Sequence, residues 1–290
     1  MNRETVAALQ AYFSSRPEVS LAFIFGSAAR GREISESDVD LAVYFSPAGQ
    51  EVEWEENREY PSENEIWLAA DRILGRNTDL VVLNRAPANL ASEVLRTGIP
   101  VLIQNPFLLA RFAALVDSAA EDYRQAMVEW WAIRERSRSL SPEDRIRLLR
   151  AIDFLERELA DGDQFQKVSA EEYERNANLR RNLERWAENV MNAAIDIGKI
   201  ILASRRAPLP ETYAGILQAL GKLEGFDPET AQKLGESAKL RNILAHEYLD
   251  LRFARLQRFV AQAEMICNQL MSFAREQAMD EGENKPVREE

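Results

Sequence analysis

Residues 26–40 hold the densest set of side chains able to do chemistry: Gly26-Ser27, then ten residues, then Asp38-Val39-Asp40. Apolar runs flank the stretch, Leu21 to Phe25 before it and Leu41 to Phe45 after it. Strand side chains alternate between faces, so two aspartates at a spacing of two leave the same face. Two like charges held that close repel and desolvate badly unless a cation sits between them. A hard divalent ion such as Mg²⁺ takes oxygen ligands and bridges readily to phosphate. Gly26 lets the backbone approach a ligand closely, and the Ser27 hydroxyl can donate to a phosphate oxygen. The stretch predicts a metal–triphosphate site, with Arg30 a further candidate contact. An Asp-x-Asp alone would read as a hairpin with two solvated acids; the Gly-Ser pair and the flanking strands favour the site.

A second constellation is Arg241-Asn242-Ile243-Leu244-Ala245-His246-Glu247-Tyr248. His246 is the only histidine of the chain. Histidine titrates near neutral pH and suits general acid–base work, while an arginine nearby suits stabilisation of phosphate charge. Taken singly, a histidine near a helix end is a polar contact and a helical arginine is solvated. Arg241 and His246 are five residues apart, about 140° around an ideal helix. They share no face unless the helix ends or bends between them, so one protomer would make a poor cleft. Two copies across a two-fold axis would bring both pairs together.

The elements that must position these groups can be read from hydrophobic period and punctuation. A helix is expected over 3–15, strands over 20–25 and 40–45, and an acidic loop over 47–64. A helix over 65–75 and a strand over 79–83 follow. Pro87 opens a short helix that stops at Gly98, and a last strand runs over 99–104. Strands alternating with helices predict an α/β unit over 1–106. After Asn105-Pro106 the texture is helical throughout, with helices expected over 107–136, 142–160, 176–204, 210–222, 228–245 and 250–277. Ser141-Pro142-Glu143 is a helix start, and Ser169-Ala-Glu-Glu reads as a capping box opening a short turn. The second domain is expected over 107–278. Residues 279–290 are charged and lack an apolar stripe, so they are expected to be a disordered acidic tail.

Composition bounds the chemistry further. The chain has 290 residues, 46% hydrophobic and 29% charged, and a net charge of −12. No run of 18 apolar residues occurs, so no membrane span is expected. One cysteine, Cys267, excludes a disulfide framework within the chain and a zinc site built from cysteines, and fits a reducing cytoplasm. A bulk electrostatic nucleic-acid binder would be basic, so any RNA contact must be local. Lysine is absent before Lys167, which leaves metal ions, arginine and backbone N–H groups to neutralise phosphate in the first half. Arg145, Arg147 and Arg150, and Arg175, Arg180, Arg181 and Arg185, read as solvated helix faces paired with glutamates rather than as RNA contacts. Trp130-Trp131 and Trp186 read as core or interface.

The Gly-Ser-x10-Asp-x-Asp pattern resembles the nucleotidyltransferase fold shared with DNA polymerase β, and its small prokaryotic branch, the minimal nucleotidyltransferases. That family carries a third carboxylate on a later strand, and Asp79 in Asn77-Thr78-Asp79-Leu80-Val81-Val82-Leu83 fits it. The resemblance covers about the first hundred residues. It implies a mixed sheet with helices, transfer of AMP from Mg-ATP to a hydroxyl, metals on Asp38 and Asp40, and Asp79 as third ligand and base. Arg-x4-His-x-Tyr resembles the pattern of HEPN domains, all-helical bundles that often act as metal-independent ribonucleases. The segment Asn189-Val-Met-Asn-Ala-Ala-Ile-Asp-Ile-Gly is similar to the HEPN group that partners minimal nucleotidyltransferases. This second resemblance spans roughly 120–275. It implies a homodimer through the bundles, an RNA substrate (tRNA or mRNA), and His246 and Arg241 as acid–base and phosphate-steadying groups.

In toxin–antitoxin pairs of these families the transferase adds AMP to the tyrosine and silences the nuclease, which implies Tyr248 as acceptor. The chain thus reads as a single-chain fusion of two modules that are usually separate. Two alternatives remain at this point. An antibiotic nucleotidyltransferase would use the helical domain to bind an aminoglycoside. A HEPN dimer without catalysis would only scaffold or bind nucleotide.

Overall fold

The computed structural model describes residues 3–29, 38–49, 52–55, 58–246 and 253–279, with the backbone alone at 3, 243, 245 and 246. Helix α1 (Arg3–Ser14) leads into strand β1 (Val19–Phe25) and a four-residue helix, α2 (Gly26–Ala29). Strand β2 (Val39–Phe45), helix α3 (Glu63–Leu74) and strand β3 (Thr78–Val82) follow, then helix α4 (Ala88–Thr97) and strand β4 (Ile99–Ile103). The strands form one mixed sheet in the order β3-β2-β1-β4. β1 runs antiparallel to both β2 and β4, and β2 runs parallel to β3. A parallel pair needs a crossover, and α3 supplies it.

Both faces of the sheet are covered, which explains why β1 is buried at every position and reads from Leu21 to Phe25 as an unbroken apolar run rather than an alternation. Leu21, Phe23, Ala42 and Tyr44 pack on one face against α4 and the early turns of the next helix, through Leu108, Phe112 and Val116. Ala22, Ile24, Leu41 and Val43 pack on the other against Leu9 and Phe13 of α1 and Ile66 and Ala70 of α3. The fully buried Asn84 holds the end of β2. Its Oδ1 accepts from the Phe45 N–H at 2.8 Å and its Nδ2 donates to the Phe45 carbonyl at 3.0 Å. A side-chain amide thus supplies what a further residue of β3 would have supplied.

The acidic loop expected over 47–64 has no regular structure where it is described up to Ser62, its last two residues opening α3 instead, and aromatic groups pin it. Val52, Trp54 and Tyr60 are buried. Trp54 Nε1 donates to the Ala86 carbonyl at 2.9 Å, and Tyr60 stacks on Phe45 with ring centres 4.2 Å apart.

The remaining described elements are helical: α5 (Pro106–Arg136), α6 (Pro142–Ala160), α7 (Ala170–Arg175), α8 (Ala177–Ser204), α9 (Tyr213–Ala219), α10 (Pro228–His246) and α11 (Phe253–Met279). The chain divides into two compact units between Asp122 and Tyr123, inside α5. The start of α5 fills one face of the sheet, and its later residues Tyr123, Trp130 and Ile133 join the helical core. Local signals set several helix ends. Ser141 accepts from the Asp144 N–H, and Ser169 with Glu172 forms the expected capping box. Met279, expected in the tail, closes α11; residues 280–290 lie outside the described residues. No helix among the described residues is long and apolar enough to cross a membrane.

Candidate functional site

The first site forms where β1 ends and β2 and β3 begin. Phe25 pairs with Asp40 across β1 and β2, and Asp40 pairs with Asp79 across β2 and β3. Directly paired residues point to the same side of a sheet, so the register sets the two carboxylates side by side. Asp38 lies two residues before Asp40. Asp38 and Asp79 are exposed and Asp40 is half-buried.

Gly26 turns the chain out of β1 with φ of +68°, a left-handed backbone that glycine adopts without steric cost. A Cβ built on Gly26 would fall 1.9 Å from Asp40 Oδ2 and 2.8 Å from its Cγ. The Asp40 carboxylate therefore occupies the space a side chain would fill. The glycine is needed for a close approach within the protein, besides any approach of a ligand. Ser27, next along α2, is half-buried.

Electrostatics follow from this crowding. The Asp40 carboxyl is raised above its ordinary value, first by burial and then by the charges of Asp79 and Asp38. Among the described residues, no group of three His, Cys, Asp or Glu side chains stands close enough to enclose a metal ion. The three aspartates thus share a neighbourhood without forming a closed cage. Like charges so placed, carrying oxygen donors only, fit a hard divalent cation. Arg30 lies outside the described residues.

The second site lies on α10. Arg241 is half-buried and held from two other helices. Its Nε donates to Asn192 Oδ1 of α8 at 3.0 Å, and its guanidinium stacks over the Tyr213 ring of α9 at 4.9 Å. Nη1 also reaches Oδ1 of the buried Asn242 at 3.3 Å. Planar stacking and directed donors orient a guanidinium in a way lysine could not reproduce. His246 is the last residue of α10, so it stands on the same continuous helix as Arg241. Nothing of its side chain is described, and Tyr248 lies outside the described residues.

The sequence reading did not single out Asn192, Tyr213 or Asn242. Asn192 had a signal, since it falls within the Asn189–Gly198 segment. Tyr213 had none, because its role depends on a helix packed against it. The tryptophans divide: Trp130 and Trp186 are buried and Trp131 is half exposed. Trp186 Nε1 donates to the Glu158 carbonyl at 2.7 Å. Arg175 and Arg185 pair with Glu171 and Glu188 along their own helices. Cys267 is fully buried, which pushes its thiol up to about 12 and leaves it protonated.

Comparison with known proteins divides the chain in the same way. Residues 7–107 match the family described as polymerase beta, nucleotidyltransferase, and residues 148–275 match the family described as ribonuclease HepT-like. A curated relative, the tRNA nuclease HepT of Aphanizomenon flos-aquae (strain 2012/KM1/D3), is 32% identical over 87 residues. The match takes in 30% of this chain and spans 59% of the length of that relative. Among solved structures, a toxin–antitoxin with AMP-PNP aligns with 44% of this chain and 97% of its own, at 22% identity and a TM-score of 0.35. The tri-AMPylated Shewanella oneidensis HEPN toxin in complex with MNT antitoxin aligns with 43% and 96%, at 19% identity and a TM-score of 0.32. The two family matches thus give a polymerase β-type nucleotidyltransferase domain over residues 7–107 and a HepT-like ribonuclease domain over residues 148–275, fused in one polypeptide.

Proposed function

We propose that the N-terminal domain transfers AMP from ATP to the hydroxyl of Tyr248, and that this modification restrains an RNA-cutting site built on Arg241 and His246. The observation that carries the reading is the strand register that sets Asp40 beside Asp79 with Gly26 packed under the carboxylate. Asp38, Asp40 and Asp79 would hold Mg²⁺, which when bound supplies charge neutralisation for the triphosphate and the leaving group. Gly26, Ser27 and Arg30 would bind the nucleotide phosphates. The tyrosine oxygen attacks the α-phosphorus in line, its bond to phosphorus forms, the bridging α–β bond breaks, and pyrophosphate leaves. The phenol proton passes to the Asp79 carboxylate.

In the helical domain Arg241 steadies the charged phosphorus centre of RNA, and His246 gives or takes the proton. A transfer RNA is the favoured substrate, since the relative that shares 32% identity is a tRNA nuclease. Added AMP beside Arg241 competes for the guanidinium and blocks the strand sterically. The fusion raises the effective concentration of acceptor near the transferase. Two copies of the helical domain would pair to complete the RNA-cutting cleft.

Incubation of the purified chain with Mg²⁺ and ATP, followed by intact mass measurement, tests the transfer. The expected result is a gain of one or more AMP units that is absent in Tyr248→Phe and in Asp40→Asn. An equal gain in Tyr248→Phe would remove that tyrosine as acceptor, and no gain in any form would remove the transferase reading.

A further inference from the structure

The helical unit holds a cavity of about 160 Å³ lined by Arg138, Ser139, Ser204, Arg205 and Gln277 together with the apolar Leu140 and Ile201. It is smaller than the ~300–1,000 Å³ of pockets that take drug-sized molecules, so it suits a compact anionic group. No acidic residue lines it. That composition is unusual in a chain of net charge −12. Several arginines of this unit are paired with carboxylates, such as Arg136 with Asp144, Arg147 with Glu129, Arg157 with Asp153 and Arg275 with Glu156, while among the described residues others such as Arg150 and Arg181 are not. Among the described residues no carboxylate pairs with Arg138, Arg205 or the adjacent Arg206.

The simplest competing explanation is that Arg205 and Arg206 complement the negative end of α8. The end of that helix is already satisfied from within. The Ile201 carbonyl accepts from the Arg205 N–H and from Ser204 Oγ, the Ala203 carbonyl from the Arg206 N–H, and the Leu202 carbonyl from the Ala207 N–H. The guanidinium of Arg205 reaches Gln277 of α11 instead. Arg138 comes from the separate turn between α5 and α6, which the helix dipole does not explain. Arg206 takes φ of +55°, an uncommon conformation for a residue with a side chain.

We infer that this cavity binds a phosphodiester of the substrate RNA away from the cutting site. The inference rests on reading the helical domain as a ribonuclease. Asn192, which holds Arg241, and Ser204, which lines the cavity, are both on α8. Twelve residues of helix separate them, roughly 18 Å. Their angular positions differ by about 120° on an ideal helix, so the cavity is no extension of the cleft. It is a second anchor that only a folded or long RNA can reach while its scissile bond sits at Arg241. Local arginine contacts of this kind reconcile RNA binding with an acidic protein.

The test uses the full chain carrying Arg138→Ala and Arg205→Ala, both at exposed positions, with a transfer RNA transcript as probe. Binding is measured from about 50 to 200 mM salt. The expected result is at least about tenfold weaker binding at the low end. The slope of log affinity against log salt should flatten by about 0.7, the value for one phosphate. Arg138→Lys with Arg205→Lys should keep most of the slope. Cleavage of the transcript should fall through KM, while a short oligoribonucleotide confined to the cleft is cut as before. Unchanged affinity and slope in the alanine form overturn the anchor and leave the nuclease reading standing. No cleavage of the transcript by the parent chain, with the anchor effect on binding intact, overturns the nuclease reading alone.

Discussion

At the scale of single residues, Asp40 concentrates the strain of the first site. Burial and two neighbouring carboxylates raise its carboxyl above the ordinary value. A raised acid binds protons more tightly in the folded chain than in the unfolded one. Stability therefore falls as pH rises from the ordinary carboxylate value through the raised one, and stays lower above it. Asp40→Asn removes that cost. In metal-free buffer the variant should melt higher than the parent chain near pH 7, and the gap should close as pH is lowered to about 3, below the ordinary carboxylate value. Added Mg²⁺ should raise the melting temperature of the parent and do little for the variant, because binding to the folded state alone stabilises it. A gap that does not change with pH would mean the carboxylate is not the source. This site was half legible in the sequence. The spacing of Asp38 and Asp40 announces a shared face. That Gly26 makes room for Asp40 Oδ2 could not be read, because the contact joins residues fourteen positions apart through a pairing that only the sheet defines.

At the scale of elements, Asn84 fixes the register that the site needs. It gives β2 both a donor and an acceptor at Phe45, within a fully buried environment. Asn84→Ala strands a buried N–H and a buried carbonyl, each costing about 1–3 kcal/mol. The N-terminal domain should lose at least about 2 kcal/mol in denaturant unfolding, and AMP transfer should fall with it. Asn84→Asp, which keeps the acceptor but sets a buried carboxylate against the Phe45 carbonyl, should cost at least as much as Asn84→Ala near pH 7. Equal stability of all three would show that the ladder does not depend on the amide. Elements of this chain were legible where their signals are local. The helix expected over 142–160 occurs as Pro142–Ala160, because Ser141 caps it and Pro142 opens it. The helix expected over 210–222 starts later, at Tyr213, because Thr212 rather than Pro210 provides the cap, and after Ala219 it continues as a 3-10 turn to Lys222. The four residues of α2 were not foreseen, since one turn is too short for a 3.6-residue period to register. Strand order was not legible either: β4 lies beside β1 at the far end of the domain sequence, and no local rule specifies that pairing.

At the scale of the whole molecule, the geometry of α10 bears on how many chains would make the proposed nuclease site. Arg241 and His246 lie on one uninterrupted helix, so their backbone positions are about 140° apart around its axis. Asn192 and Tyr213 fix the Arg241 guanidinium against α8 and α9, which limits how far its side chain can swing back towards His246. A cleft that needs both groups would therefore take Arg241 from one copy and His246 from the other. This arrangement makes a specific prediction for mixed assemblies. Arg241→Ala and His246→Ala, each alone, should be inactive on RNA. When the two inactive forms are mixed and allowed to exchange, about half of the dimers carry one copy of each. In such a dimer one cleft has lost both groups and the other has kept both. Activity should therefore return to about a quarter of the parent value, at a rate set by subunit exchange. If each chain instead builds its own cleft, mixing restores nothing, since every cleft lacks one of its two groups. Tyr248→Phe in both partners keeps AMP transfer from masking the outcome, so the returned activity reports on the cleft and not on its restraint.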